Sequence, residues 1–151
     1  MEHSDGFYTQ KGYQLIATDG LSASMEDYLE MICRLAADSG VVRIHELAQH
    51  LHVKPSSASK MVNNLKNTGY LDFKKYGYIA VTQKGLYTGH YLLHRHKVLH
   101  EFLCLLNKTA DELEQVEKIE HFINKNTLAN IEKLTLQMKK QNESSDAINE
   151  L

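Results

Sequence analysis

The sequence predicts a mostly α-helical chain whose few short strands sit between a group of short helices and a long helical tail. Three observations carry this. Apolar residues recur at helical spacing over 24–37, 85–107 and 109–140. Gly and Pro punctuate 40–77 at the ends of short elements, and strand-like character is concentrated in "YLDFKKYGYIAVT". Helix, helix-turn-helix, then β-hairpin is the order of a winged helix-turn-helix, and the segments after it form an α-helical domain.

Residues 1–20 mix Gly, Ser, Asp and Thr with Phe7, Tyr8 and Tyr13 and lack periodicity, so they read as an arm without an assigned role. From Ser24 to Ala37 the apolar positions Tyr28, Leu29, Ile32, Cys33, Leu35 and Ala36 make a helix, with Ser24 as its expected N-cap and Ser39-Gly40 as its end. Val41 to Ile44 suit a short strand and "HELAQHLH" a short amphipathic helix. In "VKPSSASKMVNNLKNTGY" Pro55 suits a first helical turn and Gly69 a C-terminal exit. Ala58, Met61, Val62 and Leu65 line one side of that helix. Two strands then flank the turn Lys74-Lys75-Tyr76-Gly77. A winged helix-turn-helix is thus expected over 21–84, and a linker helix with a helical dimerisation and metal-binding domain over 85–141.

"TQKGLYTGHYLLHRHKVLHEFLCLLN" is apolar over much of its circumference, and helices so exposed find their cover in a second subunit. A two-fold homodimer is therefore expected. Two further helices, about 109–124 and 126–140, carry Val116, Ile119, Phe122, Ile123, Leu128, Ile131, Leu134 and Met138. Residues 142–151 are expected to be a frayed polar tail.

The chain of 151 residues is 42% hydrophobic and 24% charged, as a soluble globular unit requires. Its apolar runs fall far below the roughly 18 residues of a membrane span, and no signal-like segment opens it, so a cytoplasmic protein without membrane partners is expected. Cys33 and Cys104 are far apart within helical patterns, as reduced thiols are. The net charge of −2 conceals a segregation. Residues 41–84 hold seven Lys or Arg against two acids, whereas residues 107–151 hold six Lys against nine acids.

A basic head fits a phosphate backbone. A recognition helix needs small or polar side chains toward the base edges and cations at its rim. Ser56, Ser57, Ser59, Lys60, Asn63 and Asn64 make such a face, with Lys74, Lys75 and Tyr76 on the wing tip as further contacts. These are the candidate contacts to double-stranded DNA, although a Ser/Asn-rich face alone is also what a solvated helix presents.

Asp27 and Glu30 are three residues apart, and Glu117, Glu120 and His121 recur at i, i+3 and i+4, spacings that share one helical face. Acidic pairs of this kind are common on solvated helices. Clustered carboxylates with imidazole suit hard or borderline ions such as manganese(II) and iron(II). Without an ion such carboxylates repel one another or take up protons.

Other histidine patterns are weaker. His90 and His94 share helical spacing with no acid nearby in sequence, and the second histidine of "HELAQH" lies five residues on, off the face a zinc-protease motif needs. His45, His50 and His52 read as surface or packing residues of the head. A nucleophile elbow, phosphate loop or Cys-based zinc finger is absent from the sequence, and a ferritin-like di-iron centre needs a second Glu-x-x-His. The sequence therefore predicts no enzyme and no small organic substrate.

The motifs "SMEDYLEMI", "KPSSASKMV", "LLHRHKVLHEFL" and "VEKIEHF", in this order between about Leu21 and Gln141, resemble the diphtheria toxin repressor family, most closely its manganese transport regulator branch. The resemblance implies a manganese-activated repressor of metal-uptake genes, dimeric on a palindromic operator. It implies a two-ion site per subunit on Asp27, Glu30, His96, Glu117, Glu120 and His121. Iron-responsive relatives carry Met where Asp27 stands and Cys where Glu117 stands, softer donors than those here, so the resemblance favours Mn2+, with Fe2+, Zn2+, Co2+ or Cd2+ as in vitro substitutes. Many relatives have a carboxylate where this chain has His100, which leaves open whether His100 joins the site. The competing expectation is a winged-helix regulator gated by a small organic ligand or by another divalent metal such as iron or zinc.

Overall fold

The computed structural model describes residues 20–74 and 77–150. Expectations for the arm up to residue 19, and for Lys75 and Tyr76 on the wing, lie outside the described residues.

Helix α1 (Ala23–Ser39) is capped by Ser22, whose Oγ accepts the Met25 N–H at 3.2 Å. The cap is thus two residues earlier than Ser24, because the helix already begins at Ala23 and its first backbone bond runs from Glu26 N–H to Ser22 O. Gly40 ends the helix in the left-handed region at φ 73° and returns its N–H to Ala36 O. Strand β1 (Val42–Arg43), helix α2 (Ile44–Leu51) and helix α3 (Pro55–Asn67) follow. Strands β2 (Leu71–Lys74) and β3 (Tyr78–Val81) form the wing hairpin, pairing Leu71 with Val81 and Lys74 with Tyr78. β1 joins the other edge of β3 through Val42–Ile79 and Arg43–Tyr78, so the antiparallel order is β1-β3-β2.

Helix α4 (Gln83–Asn107) is capped by the Thr82 hydroxyl, which accepts from Gly85 N. A short helix α5 (Leu113–Ile119) tightens into a 3₁₀ turn at Glu120–Phe122. Helix α6 (Lys125–Asn149) completes the chain. Two expectations fail here. The segment 109–124 is not one helix, and 142–149 is not frayed, since no Gly or Pro interrupts it. The Ser144 and Ser145 hydroxyls bond back to Lys140 and Gln141 carbonyls along the same helix.

Two apolar cores result. The head core gathers Leu29, Ile32, Val42, Leu47, Val62, Leu65 and Leu71 with their neighbours, and the smaller tail core gathers Val98, Leu99, Leu103, Val116 and Leu128. Helix α4 serves both, with Leu92 in the first and Val98 in the second. Its N-terminal half can lie this close to the head only because it presents glycines there. A Cβ on Gly85 would collide with the Tyr70 carbonyl, and one on Gly89 with Cys33 Sγ. The stripe Gly85, Gly89, Leu92, His96, Leu99, Leu103 alternates steps of four and three, and His96 is its one polar member. The seam between the two cores falls at that position.

Candidate metal centre

Three elements meet at the seam. α1 brings Glu26, Asp27 and Glu30 from the head. α4 brings Arg95 and His96. The end of α5 and its 3₁₀ turn bring Glu117, Glu120 and His121 from the tail.

His121 Nε2 lies 2.9 Å from Asp27 Oδ1 and 4.0 Å from Glu120 Oε1. His96 Nδ1 lies 2.9 Å from Glu120 Oε2 and 3.6 Å from Glu30 Oε1. These contacts define two groups whose ligand atoms lie within 4.8 Å of one another, Asp27–Glu120–His121 and Glu30–His96–Glu120. Glu120 belongs to both, one oxygen toward each imidazole, and is 1% exposed. A carboxylate so placed could offer one oxygen to a cation in either group.

Five of the six expected ligands therefore converge. Glu117 does not enter either group. It is exposed and lines the wall of the same cavity, of about 540 Å³, with Asp27, Glu30, His96 and Glu120. Although only three residues from Glu120, Glu117 ends on the exposed side of that wall, whereas Glu120 is buried against both imidazoles. His50 and His52, exposed as expected, line the same wall. His100 belongs to neither group. Its ring stacks 6.5 Å from that of His96, and its Nε2 meets Asp111 Oδ1 at 3.1 Å and the Glu112 N–H at 3.3 Å.

The electrostatics are set by carboxylates packed against two imidazoles. Burial opposes charge on His121, but hydrogen bonds to Asp27 and Glu26 and their negative charges outweigh it and push its pKa up to about 9. The hydrogen bond to Glu120 likewise raises His96 above the ordinary imidazole range, against burial. Burial raises the Glu30 carboxyl, partly countered by the 2.8 Å bond from Arg34. The His121 proton thus sits among carboxylates that could instead face a cation.

Sequence reasoning missed two residues, Glu26 and Arg95. Glu26 Oε1 meets His121 Nδ1 at 3.1 Å and its Oε2 meets Arg95 at 3.3 Å. Arg95 is 3% exposed, and its position inside a widely apolar helix was the available signal. His94, expected to lack an acidic partner, meets Glu132 Oε2 at 3.0 Å across the tail. Cys33 is a buried thiol whose pKa burial pushes to about 11, while Cys104 is partly exposed rather than buried.

The DNA candidates are arranged differently. On α3, Ser56, Ser57, Lys60, Asn63 and Asn64 are exposed and Ser59 half-buried, opposite the buried Ala58, Val62 and Leu65. The helix N-terminus carries no side-chain cap, and Lys54 precedes Pro55 there. Lys74 is exposed at the end of β2. Lys66 lies over the Phe73 ring, with Nζ 5.1 Å from its centroid.

Comparison with known proteins bears on the fold and the family. Residues 20–79 match the model of the iron dependent repressor N-terminal DNA binding domain. The HTH-type transcriptional regulator MntR of Oceanobacillus iheyensis is 39% identical over 109 residues, 72% of this chain and 74% of that protein. The regulator of the same name from Lysinibacillus sphaericus is 36% identical over 129 residues, 85% of this chain and 91% of that one. Among solved structures, the manganese regulator SloR superposes with a TM-score of 0.65 at 28% identity, covering 73% of this chain and 52% of that one. The metal-dependent transcriptional regulator MtsR, at 22% identity and TM-score 0.67, supports the fold alone. The chain spans about half the length of these solved chains. The relatives are named as transcriptional regulators, not enzymes, and no helix among the described residues is long and apolar enough to cross a membrane. A winged head, a carboxylate–imidazole seam and these similarities lead to one conclusion: the chain belongs to the diphtheria toxin repressor family of metal-dependent, DNA-binding transcriptional regulators, in its manganese transport regulator branch.

Proposed function

We propose that the protein is a manganese(II)-activated repressor of metal-uptake genes, cytoplasmic and acting as a homodimer on a palindromic operator. The observation that carries the reading is the pair of ligand groups sharing Glu120, assembled from the DNA-binding head, the linker helix and the tail. Asp27, Glu30, His96, Glu120 and His121 are proposed as ligands of two ions, with Glu117 at the cavity wall supplying charge or a water-mediated contact. Oxygen and imidazole donors without a thiolate or thioether suit manganese better than softer-ligand ions. Raw affinity still rises toward zinc, so selectivity rests on the geometry around Glu120.

The ions act by position. Asp27 and Glu30 ride on α1, which packs into the head core, whereas Glu120 and His121 belong to the tail. Ligands shared across that seam fix each head relative to the dimerisation domain. Half-sites on DNA lie about one helical turn apart, roughly 34–36 Å, or a multiple of it. Heads already held at such a spacing lose less freedom on binding, and a coupling of about 1–3 kcal/mol switches operator occupancy. Ser56, Ser57, Ser59, Lys60, Asn63 and Asn64 are proposed to face the major groove. Lys74, with Lys75 and Tyr76 beyond it, is proposed for the adjacent backbone. The uncapped N-terminus of α3 favours a phosphate.

The dimer is supported by apolar surface that one subunit leaves uncovered. Phe122 is 48% exposed, Leu134 46% and Leu136 53%, all on the tail. A gel-shift titration of manganese, iron, zinc and cobalt against the promoter of a manganese transporter gene tests the whole reading. Retardation that requires manganese supports it, and equal DNA affinity with manganese and with chelator rejects it.

A further inference from the structure

We propose that Glu26 and Arg95 are a positioning pair for His121. The Glu26 carboxylate holds the ring at Nδ1–H so that Nε2 is presented to the ion, and the buried Arg95 guanidinium holds that carboxylate in place. The inference rests on the metal reading above and concerns two residues outside both ligand groups.

The His121 ring sets the constraint. A neutral imidazole has one N–H and one lone pair, so a metal on one nitrogen requires the other to donate. The two nitrogens of His121 face different partners. Nε2 points among the ligands, 2.9 Å from Asp27 and 4.0 Å from Glu120. Nδ1 points out of the groups, 3.1 Å from Glu26 Oε1 and 3.4 Å from an Arg95 nitrogen. A guanidinium can only donate. Arg95 could therefore bond Nδ1 only in the tautomer that places the hydrogen on Nε2, which blocks the ion. Glu26, the nearer partner and an acceptor, selects the tautomer that binds.

Arg95 then has a different task. It is 3% exposed, and its Nε has no hydrogen-bond partner. A cation so enclosed needs an anion beside it, and its other terminal nitrogen lies 3.3 Å from Glu26 Oε2. The face of Tyr91 lies 5.9 Å from its guanidinium carbon. Glu26 is thus gripped through one oxygen and grips His121 through the other. Each member of the pair immediately precedes a ligand on its own helix, Glu26 before Asp27 and Arg95 before His96. The pair therefore links the same two helices as the ligands, one turn position to the side.

The test is calorimetric titration of the full-length protein with manganese, on wild type, Glu26→Gln and Glu26→Ala. Losing an outer partner of a histidine ligand costs about 10–100-fold in metal affinity. Glu26→Ala is expected to show that loss at one of two ions. Glu26→Gln, whose amide oxygen still accepts from Nδ1–H, is expected to fall between Ala and wild type. Imidazole ¹⁵N spectra of the zinc-loaded protein supply a readout that a general loss of stability does not move. Wild type and Gln should show a hydrogen-bonded His121 Nδ1–H protected from solvent exchange, and Ala that proton lost to exchange. Should the Ala variant fail to fold by circular dichroism, the Gln variant decides, its affinity falling below wild type with the protected proton retained. Wild-type affinity in Glu26→Ala, or in Glu26→Gln where Ala does not fold, overturns the pair while leaving the metal reading intact. A wild-type protein that does not bind manganese overturns both.

Discussion

The two ligand groups share Glu120 but differ in how they are balanced without metal. In the Asp27–Glu120–His121 group, one ring lies between two carboxylates of the head, Glu26 and Asp27, and its pKa is pushed up to about 9. Asp27 is half exposed there, its side chain 49% accessible. In the Glu30–His96–Glu120 group, both acids are buried, and Arg34 already occupies Glu30 at 2.8 Å. The first group has one exposed acid and a ring that holds its proton strongly. The second has no exposed acid and is partly neutralised by a guanidinium. The difference teaches that two ions, if each group takes one, would not bind alike: an ion at the first would exchange with the His121 proton, whereas one at the second would displace Arg34 from Glu30 or share that carboxylate with it.

Substitution of the shared residue has the largest expected effect. Glu120→Gln removes the carboxylate common to both groups and should lower manganese affinity by more than the ~100-fold typical of an outer partner. Calorimetry should then find no saturable heat at micromolar metal. Retention of one full-affinity ion would show the groups to be independent. Asp27→Ala should be next, emptying only the first group. The expected result is a fall from two ions to one, with metal-dependent operator binding weakened and the fold kept, because an exposed carboxylate contributes little to packing.

Acidity separates the groups by a third route. The folded-state pKa of His121 lies above its unfolded value of 6.5. Its ion pairs with Asp27 and Glu26 therefore stabilise the metal-free chain fully below pH 6.5, and that contribution is lost as pH rises through about 9. The largest possible contribution is about 3 kcal/mol. Thermal unfolding of the metal-free protein should shift to lower temperature between pH 7 and 10. Over the same interval the first ion should bind more tightly, by up to about tenfold per pH unit below 9, with release of up to one proton. The same proton count for both ions, read from titrations in buffers of different ionisation enthalpy, would remove the distinction. The smallest effect is expected of Glu117→Ala. The residue is exposed and in neither group, so its loss should cost under about fivefold in affinity. A loss as large as that of Asp27→Ala would mean that Glu117 swings inward when the ions arrive.

Much of this was legible in the residues. The helix-turn-helix, the hairpin and the long linker helix follow from periodicity and from Pro55, Gly40 and Gly69, whose local requirements leave little choice. The converging acids and imidazoles were visible as spacings, and four motifs in order supplied the family. What was not legible is where spacing stops being a guide. Glu117 stays exposed while Glu120, three residues on, is buried beside both imidazoles, and nothing in "VEKIEHF" marks the difference, because it is set by how the end of α5 packs against α1 and α4. Glu26 and Asp27 are adjacent acids about 100° apart on one helix. Which of them meets Nε2 of His121 and which meets Nδ1 depends on how α1 is turned against the tail, a tertiary fact. The partnership of His94 with Glu132 is likewise set only when α6 packs on α4. The C-terminal helix was underestimated because its polarity reads as disorder, although its residues form helices readily and lack a breaker.

Cations are proposed to join head to tail by sharing Glu120. Anomalous diffraction from crystals grown with manganese tests it most directly. Two manganese peaks per subunit, one against Asp27 and His121, one against Glu30 and His96, and both within reach of Glu120, are the predicted result. Manganese bound elsewhere, with Asp27 and Glu30 turned away from Glu120 and His121, would contradict it.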